Sequence, residues 1–378
     1  MVLASTSAFL ILQWLNTKSN TLSLERNLAI KPSTLDLPFH SFRPGQEEAI
    51  KAIAASNAPF FFYEGPVGSG KSGIGLGVMN LLKEDGLFLT TDLELQAQYV
   101  RSFGLTEMKG RRHFGCWIDP QQTAETAICT VGEYCVHKQG DDDKPMCDYY
   151  AQRHEALMQR QYVTSYAMQV ALAILNETGS VPREMVVLDE AHRLEGVLVD
   201  HFTRHFQYSI MDMWKPTQKD IVDMSSLRTW AHSNTGHAKQ SIVGKRGRRF
   251  LQSKQCSDNV SYLAGLADAA LENWIILEGQ YGIEVKPLLV APFFRRIIPP
   301  TAHTLFMSGT LLNGKYQAGL YGLQPGEWEW RSDTMRFPKG RRPIHLVTNP
   351  EYGAVKVAAS RPETYDQVIR LADHHIER

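Results

Sequence analysis

One short segment constrains the fold of this 378-residue chain more than any other. Residues 65–72 read Gly-Pro-Val-Gly-Ser-Gly-Lys-Ser, which satisfies the pattern G-x-x-x-x-G-K-[ST] in full. The apolar, aromatic run at 58–63 predicts a buried strand before the segment, and residues 71–83 predict a helix after it. A strand, a glycine-rich turn and a helix N-terminus together form a cradle of backbone N–H groups for phosphate, so the segment predicts a nucleotide-binding domain.

Each position of this segment has an expected role. Lys71 is expected to reach the β- and γ-phosphates of ATP, and the hydroxyl of Ser72 is expected to bind Mg²⁺. The glycines let backbone N–H groups turn inward around the phosphates. The predicted nucleotide-binding residues of the segment are Gly65, Gly68, Ser69, Gly70, Lys71 and Ser72.

The acidic partner of a phosphate loop follows the apolar run 185–188, in the string Asp189-Glu190-Ala191-His192. Asp189, at the carboxyl end of a strand, is expected to hold Mg²⁺ through water, and Glu190 to orient and deprotonate the attacking water. Acidic residues also favour helix N-termini, which gives this string a plainer interpretation. The phosphate loop favours the catalytic interpretation over this plainer one. His192 is assigned to the same group of catalytic residues.

Further strands are predicted at 87–91 and 304–307, and they alternate with helical segments. This alternation predicts an α/β fold with a mostly parallel sheet. Two stretches interrupt it: residues 104–162, and the long, polar and mainly helical stretch 195–295. The formal net charge of zero excludes a wholly basic nucleic-acid binder, and the 43% hydrophobic content excludes general disorder. No run of about 20 apolar residues and no basic signal-peptide start is present, which predicts an intracellular protein without a membrane span.

Four of the five cysteines lie in the first interrupting stretch, at Cys116, Cys129, Cys135 and Cys147. Their spacing is C-x12-C-x5-C-x11-C and contains no C-x2–4-C pair of the kind that zinc sites show. Four spread thiolates are typical of a [4Fe–4S] cluster, with ordinary buried cysteines as the alternative. Cys256 lies in the helical stretch and is expected to be a plain thiol.

The D-E-A-H string together with the phosphate loop resembles superfamily 2 helicases and translocases. Phe42-Arg43-Pro44-Gly45-Gln46 resembles the adenine-recognising Q motif of that group, in which Gln46 would read the adenine edge and Arg43 would join it at the nucleotide. Ser308-Gly309-Thr310-Leu311 resembles the motif that couples hydrolysis to DNA movement, so Ser308, Gly309 and Thr310 are the implied coupling residues.

The surroundings of the cysteines resemble a narrower group, the XPD/DinG-type iron–sulfur helicases. Residues 109–116, Lys-Gly-Arg-Arg-His-Phe-Gly-Cys, resemble their K-G-R-x-N-Y-x-C stretch, although His-Phe replaces Asn-Tyr. Residues 147–150, Cys-Asp-Tyr-Tyr, resemble the C-x-Y-Y that closes the cluster site, and Val163–Ala167 resembles the segment leading to the D-E-A-H strand.

This resemblance implies a RecA-like P-loop motor domain that is interrupted by an iron–sulfur cluster domain and a helical arch domain. The implied boundaries are motor domain 1 at 1–103, 163–194 and 296–314, the cluster domain at 104–162, the arch at 195–295, and the start of a second motor domain at 315–378. The implied cofactors are ATP, Mg²⁺ and a [4Fe–4S] cluster. The implied activity is 5′-to-3′ movement on single-stranded DNA with unwinding of forked duplex DNA.

The expected DNA contacts are Thr91, Gln98, Arg111 and Arg112. The basic run 239–254 suits a DNA contact and a solvated loop equally well. No Q-x-x-G-R-x-x-R segment for a second motor domain occurs, so the chain is expected to be C-terminally truncated and to bind DNA without unwinding it. The alternatives are an ATP-gated DNA-binding module and a P-loop ATPase whose cysteines hold zinc.

Overall fold

The structure is a computed structural model that describes residues 30–130, 135–138, 146–174, 183–245, 247–298, 303–311 and 313–333. All of these residues belong to one compact unit, Met1–Met335. Residues 334–378, most of the predicted start of a second motor domain, lie outside the described part, as does Arg246 of the basic run.

Helices and strands alternate along most of the described chain. The helices are α1 (Gln46–Ala55), α2 (Lys71–Leu82), α3 (Leu93–Phe103), α4 (Asp148–Met158), α5 (Tyr166–Ile174), α6 (Leu194–Phe202), α7 (Tyr208–Met211), α8 (Met224–Gln240), α9 (Gly247–Ala264), α10 (Ala291–Ile297) and α11 (Gly314–Leu320). The strands are β1 (Phe60–Glu64), β2 (Gly86–Thr90), β3 (Thr106–Met108), β4 (Gln161–Ser165), β5 (Met185–Asp189), β6 (Arg204–Gln207), β7 (Trp274–Gly279), β8 (Gly282–Pro287), β9 (His303–Ser308) and β10 (Trp328–Ser332). Within this described part, no helix combines the length and the apolar character needed to cross a bilayer.

A seven-stranded sheet of order β10-β1-β9-β5-β2-β4-β3 forms the centre, and every strand pair in it is parallel. Helices cover both faces of the sheet, so the side chains of its central strands are buried on both sides. This is why these strands are continuous apolar runs. Phe61 of β1 and Val187 of β5 face a core formed with α1 and α2, whereas Phe62 and Val186 face the opposite core, which includes α5 and α10. The predicted α/β fold with a parallel sheet is confirmed.

The carboxyl ends of β1, β5 and β9 lie side by side at one edge of this sheet. β9 pairs with β1 on one side and with β5 on the other, and the register aligns Glu64 with Ser308 and Asp189 with Met307. Ligands of open parallel sheets bind at this edge, where the strands end and the following loops begin. The three sequence motifs therefore converge at one place because each directly follows, or ends, one of these strands.

Two parts of the fold differ from the sequence-based expectation. Strand β10 pairs in parallel with β1, so the large sheet continues to residue 332, whereas a second domain was expected from residue 315. The stretch 195–295 contains a three-stranded antiparallel sheet of order β6-β8-β7, where mainly helices were expected. Its hairpin was identifiable from Gly279 and Gly282, which pair across a two-residue turn.

A buried arginine joins the end of α4 to the large sheet. The Arg183 side chain donates hydrogen bonds to the carbonyl oxygens of Leu157 (2.7 Å), Gln159 (2.7 Å) and Arg160 (3.2 Å). Its guanidinium lies 4.9 Å from the ring centroid of Tyr162 in β4, and the residue is only 5% exposed. A cation at the last carbonyls of a helix is also favoured by the helix dipole. Arg183 thereby fixes where the cysteine-bearing stretch returns to the sheet.

Candidate nucleotide and nucleic-acid sites

The phosphate loop occupies the turn between β1 and α2. Gly68 and Gly70 have positive φ angles of 83° and 80°, a conformation that glycine adopts without steric cost. A Cβ atom at Gly70 would also collide with the amide of Gln46. The helix therefore begins at Lys71 with its free N–H groups directed at the loop, as the sequence predicted.

Lys71 points back into this loop. Its ammonium donates a hydrogen bond to the carbonyl oxygen of Gly65 (3.2 Å), and the residue is 8% exposed. The backbone of Gly65 in turn donates to the carbonyl of Ser308 at 3.0 Å, so the loop is tied to the end of β9. Gly309 lies beside the ammonium, because a Cβ there would be 3.7 Å from the Lys71 nitrogen.

Arg43 and Gln46, the residues of the predicted Q motif, lie against the same loop. The Gln46 amide donates to the carbonyl of Gly70 (3.2 Å), and its oxygen accepts from the backbone of Arg43 (2.7 Å). The Arg43 guanidinium donates to the carbonyl of Gly68. These contacts hold the loop and the start of α1 together and place both side chains against the predicted nucleotide site.

Asp189 lies at the centre of a buried hydrogen-bond network. Its Oδ2 accepts from the hydroxyls of Tyr99 (2.7 Å) and Ser72 (3.3 Å), and its backbone carbonyl accepts from the hydroxyl of Tyr166 (2.8 Å). Burial raises the pKa of the Asp189 carboxyl, and the neighbouring charge of Glu190 adds to the rise, whereas the hydrogen bond from Tyr99 opposes it. The two residues predicted to bind Mg²⁺, Ser72 and Asp189, are therefore in direct contact.

Glu190 and His192 contact the predicted coupling motif at the end of β9. The Ser308 hydroxyl donates to Glu190 Oε2 (3.3 Å), lies 2.8 Å from Nδ1 of His192, and accepts from the backbone N–H of Thr310 (3.2 Å). Glu190 has a φ of 51° and a ψ of 46°, a left-handed conformation that costs energy for a residue with a Cβ. Such strain is typical of functional sites, and here it turns the Glu190 side chain towards Ser308.

The four cysteines predicted as cluster ligands line a single small cavity. Cys116, Cys129, Cys135 and Cys147 surround it, although up to 31 positions separate them in the sequence. Burial raises the pKa of the Cys147 thiol. Among the residues that the structure describes, no three His, Cys, Asp or Glu side chains are grouped so as to hold a single metal ion. Cys256 lies apart from them and is buried in α9.

Three of the four predicted DNA contacts line one cavity of about 320 Å³. Thr91, Arg111 and Arg112 contribute polar groups to it, whereas Met168 and Leu172 of α5 form part of its apolar wall. Arg111 also lies over the rings of Tyr149 (4.9 Å) and Tyr150 (5.5 Å) and donates to the Sγ of Cys129 (3.6 Å). Gln98 is exposed on α3 and is not among the lining residues.

Two lysines of the basic run 239–254 are engaged with residues of helix α9. The Lys245 ammonium donates to the Ser253 hydroxyl (2.8 Å), and Lys254 pairs with Asp258 (2.8 Å), one helical turn further on. These contacts agree with the plainer of its two interpretations, that of a solvated surface segment.

Comparisons with known proteins agree with the α/β fold described above. A family model described as "Type III restriction enzyme, res subunit" matches residues 39–219, which include the phosphate loop and the D-E-A-H string. The solved structure named "XPD_Helicase" aligns at a TM-score of 0.50 and 15% identity, over 77% of this chain and 62% of that one. The described chain therefore shares its α/β, RecA-like fold with this structure.

Two further XPD structures align over similar shares of the chain. "XPD_APO" aligns with a TM-score of 0.44 and 15% identity, over 77% of this chain and 57% of that one. "Structure of S. tokodaii Xpd4" aligns with a TM-score of 0.45 and 12% identity, over 78% of this chain and 61% of that one. The chain thus spans about 60% of the length of these XPD structures. No curated protein sequence matches it.

The sequence pattern did not reveal the two tyrosines on Asp189. Tyr99 and Tyr166 are both fully buried, and they lie 90 and 23 residues from Asp189 in the chain. A tyrosine in an amphipathic helix normally indicates core packing, so neither position carries a recognisable local signal.

Proposed function

We propose that this chain is an ATP-hydrolysing DNA helicase of the XPD type. One observation carries the proposal: the phosphate loop, the D-E-A-H string and the S-G-T motif interlock at one sheet edge. Ser72 contacts Asp189, Glu190 contacts Ser308, and Gly65 accepts from Lys71 while it donates to Ser308. Such a network links nucleotide chemistry to the end of β9, which a simple nucleotide-binding fold does not require.

The residues at this edge can carry out phosphoryl transfer to water. Lys71 would exchange its contact with the Gly65 carbonyl for the β- and γ-phosphates of ATP, and Ser72 and Asp189 would hold Mg²⁺. When bound, Mg²⁺ neutralises charge on the transferring phosphoryl group. The Glu190 carboxylate would accept the proton of the attacking water, and the Ser308 hydroxyl would hold that carboxylate in position.

The 320 Å³ cavity contains groups that suit a single DNA strand, together with the carboxylate residues Asp92 and Glu125. Arg111 and Arg112 offer positive charge for phosphates, Thr91 offers a small polar group, and the apolar wall can cover a base face. We therefore place the path of single-stranded DNA along this cavity. The 5′-to-3′ direction and the unwinding of forked duplexes follow from the XPD-type resemblance. Because its substrate would be cellular DNA, we expect the protein to act inside the cell.

The four cysteines fit a [4Fe–4S] cluster, since they provide the four thiols that such a cluster requires around one cavity. Cys116, Cys129, Cys135 and Cys147 would hold it. When bound, the cluster would supply a structural cross-link between distant parts of the stretch 109–160, where described elements of regular structure are short before α4. Absorbance together with iron and zinc content of the purified protein tests this assignment, and zinc without iron would overturn it.

The central experiment compares the full chain with two lysine variants. Nucleotide binding and ATP hydrolysis are measured with and without oligothymidine, in the wild type, Lys71→Ala and Lys51→Ala. Lys51 is a matched control because it forms only a surface ion pair with Glu47 (2.8 Å) on α1. We expect Lys71→Ala alone to lose hydrolysis, and unwinding is then tested on duplexes with 5′ and 3′ tails.

Each outcome separates the candidates. Unchanged nucleotide binding and hydrolysis in Lys71→Ala would refute the assigned nucleotide site. Hydrolysis that DNA does not affect, in a protein that binds no DNA, would leave a P-loop ATPase of another kind. Nucleotide-dependent DNA binding without hydrolysis would identify an ATP-gated DNA-binding module instead of a helicase.

A further inference from the structure

Helix α3 begins at the proposed DNA path and contacts the proposed nucleotide site through Tyr99, on its buried face. Its exposed side carries Glu94 and Gln98, and its N-terminus follows Thr91, which lines the 320 Å³ cavity. Its fully buried positions are two polar residues, Gln96 and Tyr99. They are three residues apart and therefore share one face of the helix. The Gln96 amide and the Tyr99 hydroxyl are polar groups on a face that also packs Leu95, Val100 and Phe103 against the core.

Tyr99 makes the most direct contact between this helix and the nucleotide site. Its hydroxyl donates to Asp189 Oδ2 at 2.7 Å, the same oxygen that accepts from Ser72 at 3.3 Å. The ring packs between Phe88 (4.9 Å) and Phe103 (5.7 Å), so packing fixes where the hydroxyl points. Any displacement of α3 therefore changes the hydrogen bond that orients the Asp189 carboxylate.

The buried face of α3 includes one polar side chain, that of Gln96, whose hydrogen-bonding capacity the described part of the chain does not use. Both side-chain polar atoms of Gln96 are buried, and neither has a partner among the described residues. A buried polar group without a partner destabilises the structure around it. A small displacement that gave this amide a partner would recover part of the lost stability, which lowers the free energy needed to move the helix.

We propose that Tyr99 is a positioning residue that couples strand binding at the N-terminal end of α3 to the Mg²⁺-binding carboxylate of Asp189. The inference rests on the proposed function, because it takes Thr91, just before α3, as a strand contact. DNA bound there displaces or locks α3, and the Tyr99 hydroxyl transmits this change to the Asp189 carboxylate. By linkage, bound Mg²⁺-nucleotide must change DNA affinity by the same factor as DNA changes nucleotide affinity.

Tyr166 offers an informative comparison with Tyr99. Its hydroxyl is equally buried and also bonds to Asp189, but to the backbone carbonyl (2.8 Å). That carbonyl belongs to β5, and the pairing of β5 with β9 holds it in place. If the bond from Tyr166 is lost, Tyr99 and Ser72 still orient the Asp189 carboxylate. Tyr321, also fully buried, packs on Phe294 (4.7 Å), forms no described hydrogen bond to Asp189, and serves as the control for losing a buried hydroxyl.

The test uses fluorescence anisotropy on the full chain to measure how bound nucleotide changes the affinity for DNA. The probe is a labelled oligothymidine of about 20 nucleotides, titrated without nucleotide and with saturating Mg²⁺ and a non-hydrolysable ATP analogue. The ratio of the two dissociation constants is compared for the wild type, Tyr99→Phe, Tyr166→Phe and Tyr321→Phe. Circular dichroism confirms that each variant is folded.

We expect a wild-type ratio within the range of about 5- to 150-fold that is typical of coupled sites, in either direction. Tyr99→Phe should bring the ratio close to one, whereas Tyr321→Phe should keep the wild-type value. In Tyr166→Phe most of the coupling should remain. A Tyr99→Phe ratio equal to the wild-type ratio, or an equal loss in Tyr166→Phe, would overturn the inference. So would a wild-type ratio of one.

The same titrations distinguish failure of the inference from failure of the proposed function. A wild-type chain that binds no oligothymidine at low salt would refute the proposed DNA path, and the inference would fall with it. A wild-type chain that binds both ligands with coupling that Tyr99→Phe does not alter would leave the proposed function standing and would refute only the role of Tyr99.

Discussion

Replacing Arg183 by methionine should loosen the join between α4 and the large sheet. Methionine keeps an unbranched apolar stem that can lie on the Tyr162 ring, but it donates no hydrogen bonds. The wild-type guanidinium donates to three carbonyls, and that of Arg160 also accepts from the backbone of Gly86 at 2.8 Å. Because the Arg160 carbonyl keeps this second donor, the loss of free energy is worked out from the two 2.7 Å hydrogen bonds alone.

The expected magnitude follows from these contacts. A hydrogen bond from a charged donor contributes about 1.5–3 kcal/mol. The low end applies here, because Gln159 is exposed and water can reach its freed carbonyl. Loss of the cation over the Tyr162 ring adds about 0.5–1 kcal/mol, and methionine recovers part of it. The local free energy of opening should therefore fall by about 3 kcal/mol, which is roughly a 100-fold change in equilibrium.

Hydrogen–deuterium exchange measures this change locally, without requiring the whole chain to unfold in one step. Peptides covering residues 148–165 should exchange about 100-fold faster in Arg183→Met. Arg160→Met is the matched control: Arg160 is 67% exposed and pairs with Asp85 at 2.8 Å, so its loss should cost under about 1 kcal/mol. Exchange in Arg183→Met within about threefold of wild type, or an equal effect of Arg160→Met, would refute the reasoning.

Three further predictions concern single side chains. Glu190→Gln should bind nucleotide normally and hydrolyse it about 10²- to 10⁴-fold more slowly, because the amide cannot accept the proton of water; near-normal turnover would remove Glu190 from this role. Cys147→Ser should abolish visible absorbance and iron content, whereas Cys256→Ser should leave both unchanged; the reverse pattern would contradict the ligand set. Burial raises the pKa of the Cys256 thiol to about 11, so its alkylation at pH 8 should be about 200-fold slower than that of an ordinary thiol and should rise about tenfold per pH unit, measured by mass spectrometry.

The sequence predicted the parts of the site that local chemistry dictates. The phosphate loop requires glycine at positive φ and a helix beginning at Lys71, and both are visible in a stretch of eight residues. The contact of Ser72 with Asp189 was predictable as well, because both residues follow or end strands whose carboxyl ends meet at one sheet edge. Each of these features depends on backbone conformation within a few residues, together with a parallel sheet.

Features that depend on distant pairing were not predictable in this way. The bond from Tyr99 to Asp189 joins positions 90 residues apart, and nothing near Tyr99 distinguishes it from a core aromatic residue. Strand β10 contains Trp328 and Trp330, but only its pairing with β1 shows that the large sheet extends to it. The antiparallel sheet was missed because β6 is separated from its partner β8 by two long helices, α8 and α9.

That antiparallel sheet has a consequence for how the chain tolerates change. Arg204, near the start of the second interrupting stretch, pairs with Val285, near its end. The entropy of bringing the two ends together is therefore offset by strand pairing inside the stretch itself, and it grows only with the logarithm of the length between them. To the large sheet, the intervening chain is equivalent to a short connection, whatever its length. The helices between these two paired strands can therefore be lengthened, shortened or replaced in evolution without disturbing the strands of the proposed nucleotide site.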